Sequence, residues 1–171
     1  MQQTYNMKEV NSAFDHIQDS DRIWVYQANR FLTEVEIELI QTSGNAFVAS
    51  WATHGKPLRA NVAIAYNLFV IVSVDEEQAK ASGCSIDKSV SWISTLGRDL
   101  HIDFLDRMQI AYKDEQNLVQ IHPMIEFEQL AANGQIESST LVFNNLVFNG
   151  KELKSAWNIP ASESWHNRFF Q

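Results

Sequence analysis

Leu68-Phe69-Val70-Ile71-Val72 is the longest apolar run in the chain, and its length is decisive. It is strand-sized, far short of the ~20 apolar residues that a helix needs to cross a bilayer. Just before it, Leu58, Ala60, Val62, Ile64 and Tyr66 alternate with Arg59, Asn61, Ala63 and Ala65, the period-two pattern of a strand. A turn near Tyr66-Asn67 joins the two segments, so the chain from Leu58 to Val74 reads as a hairpin.

The segments around the hairpin complete a pattern. Ile23 to Ala28 is rich in β-branched and aromatic residues, which suit a pleated surface. Thr33 and Glu36 form a capping-box pair. The helix they open carries Ile37, Ile40, Phe47, Val48 and Trp51 on one stripe, is kinked at Ser43-Gly44, and ends near Thr53, where His54-Gly55 and Pro57 stop it. Ile86, Val90, Ile93, Leu96 and Leu100 repeat at helical spacing, and Met108 to Tyr112 reads as a fourth strand. The order βαββαβ predicts an α+β fold of ferredoxin-like type, with two helices on one face of a four-stranded antiparallel sheet.

Residues 1–21 read as a polar leader with a helical turn near Val10 to Ile17, and residues 22–171 as a single α+β domain. Within it, 22–114 form the βαββαβ core and 115–171 a C-terminal α/β appendage. The appendage has a helix from Pro123 to Ala132, a strand or hairpin from Leu141 to Phe148 and a short helix from Lys151. The open sheet face needs a cover, and the appendage is the expected one.

Across 171 residues the chain carries a net charge of −8, which repels phosphate backbones and argues against nucleic acid. Trp24 and Tyr26 share one face of the first strand, where RNA-recognition modules of this topology stack bases, but no Lys/Arg cluster flanks them. No apolar run suggests a signal or a membrane span. The single cysteine, Cys84, excludes an intramolecular disulfide and fits a reducing compartment, so a cytoplasmic protein is expected. His101, Asp103 and Asp106 are the one cluster with metal-ligand chemistry, yet they meet no standard spacing, and neither metal nor cofactor is expected.

In the predicted topology the end of the first helix and the start of the second lie at the same end of the sheet. Cys84 then sits in the first turn of a helix, where backbone N–H groups favour a thiolate, and His54 is the natural base. Ser82-Gly83-Cys84-Ser85 also reads as an anion nest, with Lys56 and Arg59 adding charge. His166, in the aromatic closing segment, becomes a further neighbour if that segment docks there. The simpler readings are a small cysteine beside a glycine turn, and serines that cap a helix. Function is accordingly read as non-catalytic binding of a small molecule or protein. The alternative is a cysteine-dependent acyl transfer or hydrolysis using Cys84 and His54, with backbone N–H groups at Ser85 receiving the oxyanion.

Trp51-Ala-Thr-His54-Gly55, Ala81-Ser-Gly-Cys84-Ser-Ile-Asp87, Val142-Phe-Asn-Asn145 and Ser164-Trp-His166 together resemble a family of uncharacterised bacterial proteins often labelled ABC-transporter ATPase. The resemblance runs from about Arg22 onward and implies a bacterial protein. The ATPase label has no support in the residues: such an enzyme needs a glycine-rich loop ending in Gly-Lys-Ser/Thr, and the six glycines here are scattered. Phe127 through Gly134 and Ile136 to Trp157 is faintly similar to GYF-like peptide-binding modules.

Overall fold

A computed structural model describes residues 14–171; the expected leader and its helical turn lie outside the described residues as far as position 13. The strand that the apolar run predicts, β5 (Phe69–Asp75), is the middle of a three-stranded antiparallel sheet. It lies between β1 (Arg22–Gln27) and β4 (Arg59–Ala65). Phe69 to Val72 are wholly buried, so both faces of this strand must be covered. The β4–β5 turn is closed by the Leu68 N–H donating to the Ala65 carbonyl at 3.1 Å. Tyr66 and Asn67 both take left-handed backbone there, with φ of 53° and 47°.

Two helices cover one face. The first, α1 (Glu34–Ser50), opens with the predicted capping box, Thr33 and Glu36 each bonding the other's backbone N–H. It ends three residues earlier than the sequence suggests, because residues 52–57 form a small hairpin of β2 (Ala52–Thr53) and β3 (Lys56–Pro57). His54 and Gly55 make its two-residue turn, with φ of 47° and 80°, the left-handed pair that tight hairpins require. Gly44 does not break α1. It permits close approach to β4, since a Cβ there would sit 2.9 Å from Val62 Cγ1.

The second helix, α2 (Gly83–Leu100), is capped by Ser82 and ends at His101 in left-handed backbone. Phe47 stacks on Trp92 at 4.8 Å and lies 4.9 Å from Trp51, binding α1 to α2. The Arg30 guanidinium grips Glu36 at 2.7 Å and reaches the Leu100 carbonyl, tying the start of α1 to the end of α2. That grip, with bonds from Thr33 adding to it, holds the Glu36 carboxyl down to about 2.

The predicted fourth strand does not join this sheet. Its residues form β6 (Gln109–Lys113), which pairs instead with β7 (Val119–Pro123) and β8 (Leu141–Phe143). With β9 (Asn158–Pro160) they make a second, four-stranded sheet ordered β7-β6-β8-β9. The helices α3 (Met124–Ala132) and α4 (Gly150–Ser155) fall where the sequence predicts them, and two 3-10 turns close the chain. Among the described residues the fold is therefore mixed α+β, with antiparallel sheets of three and four strands and the small β2–β3 hairpin in place of one four-stranded sheet.

The C-terminal third covers the second face of β5. Phe69 lies 4.8 Å from Phe143 and 5.0 Å from Trp157, ring to ring, and Tyr66 packs edge-on to Phe143 at 5.0 Å. Phe14 and Ile17, from the expected leader, are buried in the same cluster. Burying one such side chain contributes roughly 1.5–3 kcal/mol, so the aromatic seam is a main adhesive between the sheets. A polar seam runs beside it. The Trp157 indole donates to Asn145 at 3.0 Å, the Asn145 amide donates to Gln27 at 2.8 Å, and the Gln27 amide donates to the Gln109 carbonyl at 3.2 Å.

Two helical glycines make opposite predictions. At Gly97 a Cβ would lie 2.5 Å from the Ile102 carbonyl oxygen, where the chain folds back under α2, whereas at Gly83 nothing lies within 4 Å. Gly97→Ala is expected to cost about 1–3 kcal/mol through overpacking, and Gly83→Ala to gain about 0.5 kcal/mol. Urea unfolding of the two variants checks both signs.

Candidate functional site

Trp51 determines what happens at the His54–Cys84 end. Its indole N–H donates to the Ser85 carbonyl at 2.8 Å, so the end of α1 is fastened to the first turn of α2. The hairpin that follows carries His54 and Lys56 outward, and both are exposed. Cys84 is also exposed. No hydrogen bond joins Cys84 to His54 among the described residues.

The other residues of that turn already have partners. Ser82 caps α2, its oxygen accepting from the Ser85 N–H at 3.3 Å, while the buried Ser85 hydroxyl donates back to the Ser82 carbonyl at 2.8 Å. Gly83 faces open space. Arg59 pairs with Asp75, its cross-strand neighbour, at 3.1 Å. The structure thus gathers Ser82, Gly83, Cys84 and Ser85 on one turn, and engages Arg59 elsewhere.

Asp103 and Asp106 act as loop fasteners, while His101 closes α2 through its backbone. The Asp103 carboxylate accepts the N–H groups of Leu105 and Asp106, and Asp106 accepts those of Met108 and the Gln109 amide. Among the described residues no group of three His, Cys, Asp or Glu side chains is placed to hold a metal ion. Trp24 and Tyr26 face the helices: Trp24 meets Trp51 edge-on at 6.2 Å, and Tyr26 is buried near Ser89. The Ser89 hydroxyl donates to the Ile86 carbonyl at 2.7 Å, beside the buried Tyr26 hydroxyl, whose pKa burial raises.

A larger feature lies along β1. A cleft of about 610 Å³ is lined by every residue from Arg22 to Gln27. It exceeds the clefts beside His101, about 470 Å³, and beside Asp114, about 510 Å³. Successive strand residues point to opposite faces, so lining by all six means that the cleft runs along the strand's outer edge, opposite β5. Val90 and Leu105 bound it on the helix side, and Leu146 and Phe148 on the side of the second sheet. These four are among the exposed large apolar side chains, Leu146 at 70% and Phe148 at 54%.

His166 lines the same cleft, whose lining includes no residue of the Cys84 turn. It is 1% exposed, stacks on Trp165 at 3.9 Å, and its Nδ1 shares a 2.8 Å hydrogen bond with the Ser164 hydroxyl. Burial, with the nearby Arg168 charge adding to it, pushes its pKa down to about 4, so the ring is neutral at physiological pH. The closing aromatic segment therefore docks, against Phe127 and the second sheet. The strand pattern of β1 was legible; that no described strand pairs with its outer edge was not, because that depends on where β6 goes.

No family model matches the chain, and neither a curated protein nor a solved structure matches it.

The depressed His166 pKa gives a signed prediction. Between pH 6.5 and about 4 the unfolded chain binds a proton at His166 that the folded chain refuses, so stability falls as pH drops through that window. The loss is complete below it, at about 3 kcal/mol. In His166→Gln this component of the slope disappears, whatever the variant's absolute stability. Urea denaturation at half-unit pH steps from 7.5 to 3.5 measures it.

Proposed function

We propose that this protein is a non-catalytic binding domain that recognises a ligand or partner in the cleft along the outer edge of β1. The cleft itself carries the reading: it has apolar walls, a few polar groups in fixed positions, and a size within the range of ligand sites. The one imidazole of its lining, His166, is neutral and held by Ser164, which suits recognition. No cysteine, serine or threonine lines it beside that ring.

The three-stranded sheet with α1 and α2 on one face is read as most of a ferredoxin-like arrangement. In that reading the place of the fourth strand, beside β1, is the cleft. A bacterial cytoplasmic setting accords with a single, exposed thiol. An alternative keeps Cys84 as a nucleophile with His54 as its base, supported by the Trp51–Ser85 bond that holds their two segments together.

The readings separate by experiment. In NMR titrations with a fragment library of aromatic and aliphatic carboxylates, fragments are expected to shift the Trp24 indole resonance. Leu146→Asp is expected to weaken them at least fivefold, and Cys84→Ser to leave them unchanged. A library that perturbs no resonance of β1, Leu146 or Trp165 removes the cleft reading. For the alternative, hydrolysis of p-nitrophenyl acetate that is lost on Cys84→Ser and on His54→Ala is the required result; equal rates in all three proteins exclude it.

A further inference from the structure

β1 is an edge strand whose outer hydrogen-bonding groups are only partly used. The Ala28 N–H donates to the Leu68 carbonyl on the β5 side. In an antiparallel ladder alternate residues point their backbone groups to alternate sides, so Tyr26 and Trp24 also bond toward β5, while Ile23, Val25 and Gln27 point outward. The Ile23 N–H confirms the parity, donating outward to the Phe148 carbonyl at 3.0 Å. Beyond that bond no strand pairs with this edge among the described residues. The Val25 N–H and carbonyl have no partner among the described residues, although Val25 is only partly exposed.

Both ends of the opening are closed. Phe148 stands at one, and at the other the Gln27 side chain, bonded to Gln109 and Asn145. Charge adds a second observation. In a chain of net charge −8, the cleft is lined by two arginines, Arg22 and Arg107, that make no ion pair among the described residues. Arg22 lies over the Trp24 ring at 5.3 Å. Asp106, the acidic residue of the lining, already has both carboxylate oxygens engaged, by Met108 and Gln109.

We propose that the cleft takes an extended peptide of a partner protein as an added strand on β1, with apolar side chains at alternate positions and an acidic side chain paired to Arg22 or Arg107. The inference rests on the cleft being the binding site and adds the chemistry of its occupant. A peptide residue opposite Val25 exchanges two backbone hydrogen bonds with it, the main-chain source of affinity in strand addition. Its neighbours place side chains against Val90 and Leu105 on one face of the strand and Leu146 and Phe148 on the other.

The test is a selection of random displayed heptapeptides on the full chain, followed by synthesis of the enriched sequence. Enriched peptides are expected to alternate β-branched or aromatic residues and to carry Asp or Glu. N-methylation of the central peptide amide is expected to weaken binding at least tenfold, as are Arg22→Glu and Arg107→Glu combined, with the melting temperature unchanged. Val25→Pro removes the outward N–H without touching the β1–β5 ladder and is expected to abolish binding; if it fails to fold, the N-methyl peptide and the arginine pair decide. Enriched peptides without an acidic residue, or binding indifferent to N-methylation, overturn the proposal. So does a self-associated protein whose dimer is broken by Arg22→Glu, which assigns the edge to a second copy. Carboxylate fragments that bind the cleft while no peptide is enriched overturn the strand-addition proposal alone; failure of both overturns the cleft reading as well.

Discussion

Burial of β5 on both faces is the constraint from which the rest of the molecule follows. A strand whose side chains from Phe69 to Val72 are all removed from water needs a layer above and a layer below. The upper layer is the helix pair, drawn close by the missing Cβ of Gly44 and joined by the stacked Phe47 and Trp92 rings. The lower layer must come from elsewhere in the chain. Phe143 and Trp157 supply it, so the last third of the protein is structural before it is anything else.

That demand also explains why the second sheet holds β6. A strand-length segment ending at Lys113 can pair with β1, more than eighty residues away, or with the segment that follows a tight turn at 114–118. The Asp114 carboxylate accepts the Gln116 and Leu118 N–H groups and fixes that turn. Closing so short a loop costs far less entropy than a distant pairing. The other edge of β6 then meets β8 at Tyr112 and Val142, which brings Phe143 under Phe69. Local closure and the need to cover β5 favour the same arrangement.

Much of this was legible in the residues. The Thr33–Glu36 capping box, the helical repeat from Ile86 to Leu100 and the helix ending at Ala132 depend on neighbours a few positions away, and they stand where local chemistry puts them. The hairpin from Leu58 to Val74 was equally plain. What failed was long-range: β7 and β9 are short and carry mixed side chains, so nothing in their pattern announced strands competing for β6. The His54 and Cys84 site was inferred from topology at the level of whole elements. The two-residue turn at His54-Gly55 then depended on side-chain detail, and it places the imidazole at a hairpin tip in solvent. The β1 cleft had no local signal of its own, because a vacant edge is a property of partners that are elsewhere.

The plugs at the two ends of the open stretch of β1 have a bearing on solubility. An unpaired edge invites other sheets to dock side by side, the beginning of disordered association. Here Phe148 and the Gln27 amide leave a gap about three residues long between them, recessed among the apolar walls. With both ends occupied, the stretch offers too few backbone groups for an extended ladder with a neighbouring sheet. The same shortness that limits pairing with another sheet suits the single short strand of the proposal, so there protection from aggregation and access for a ligand come from one piece of geometry.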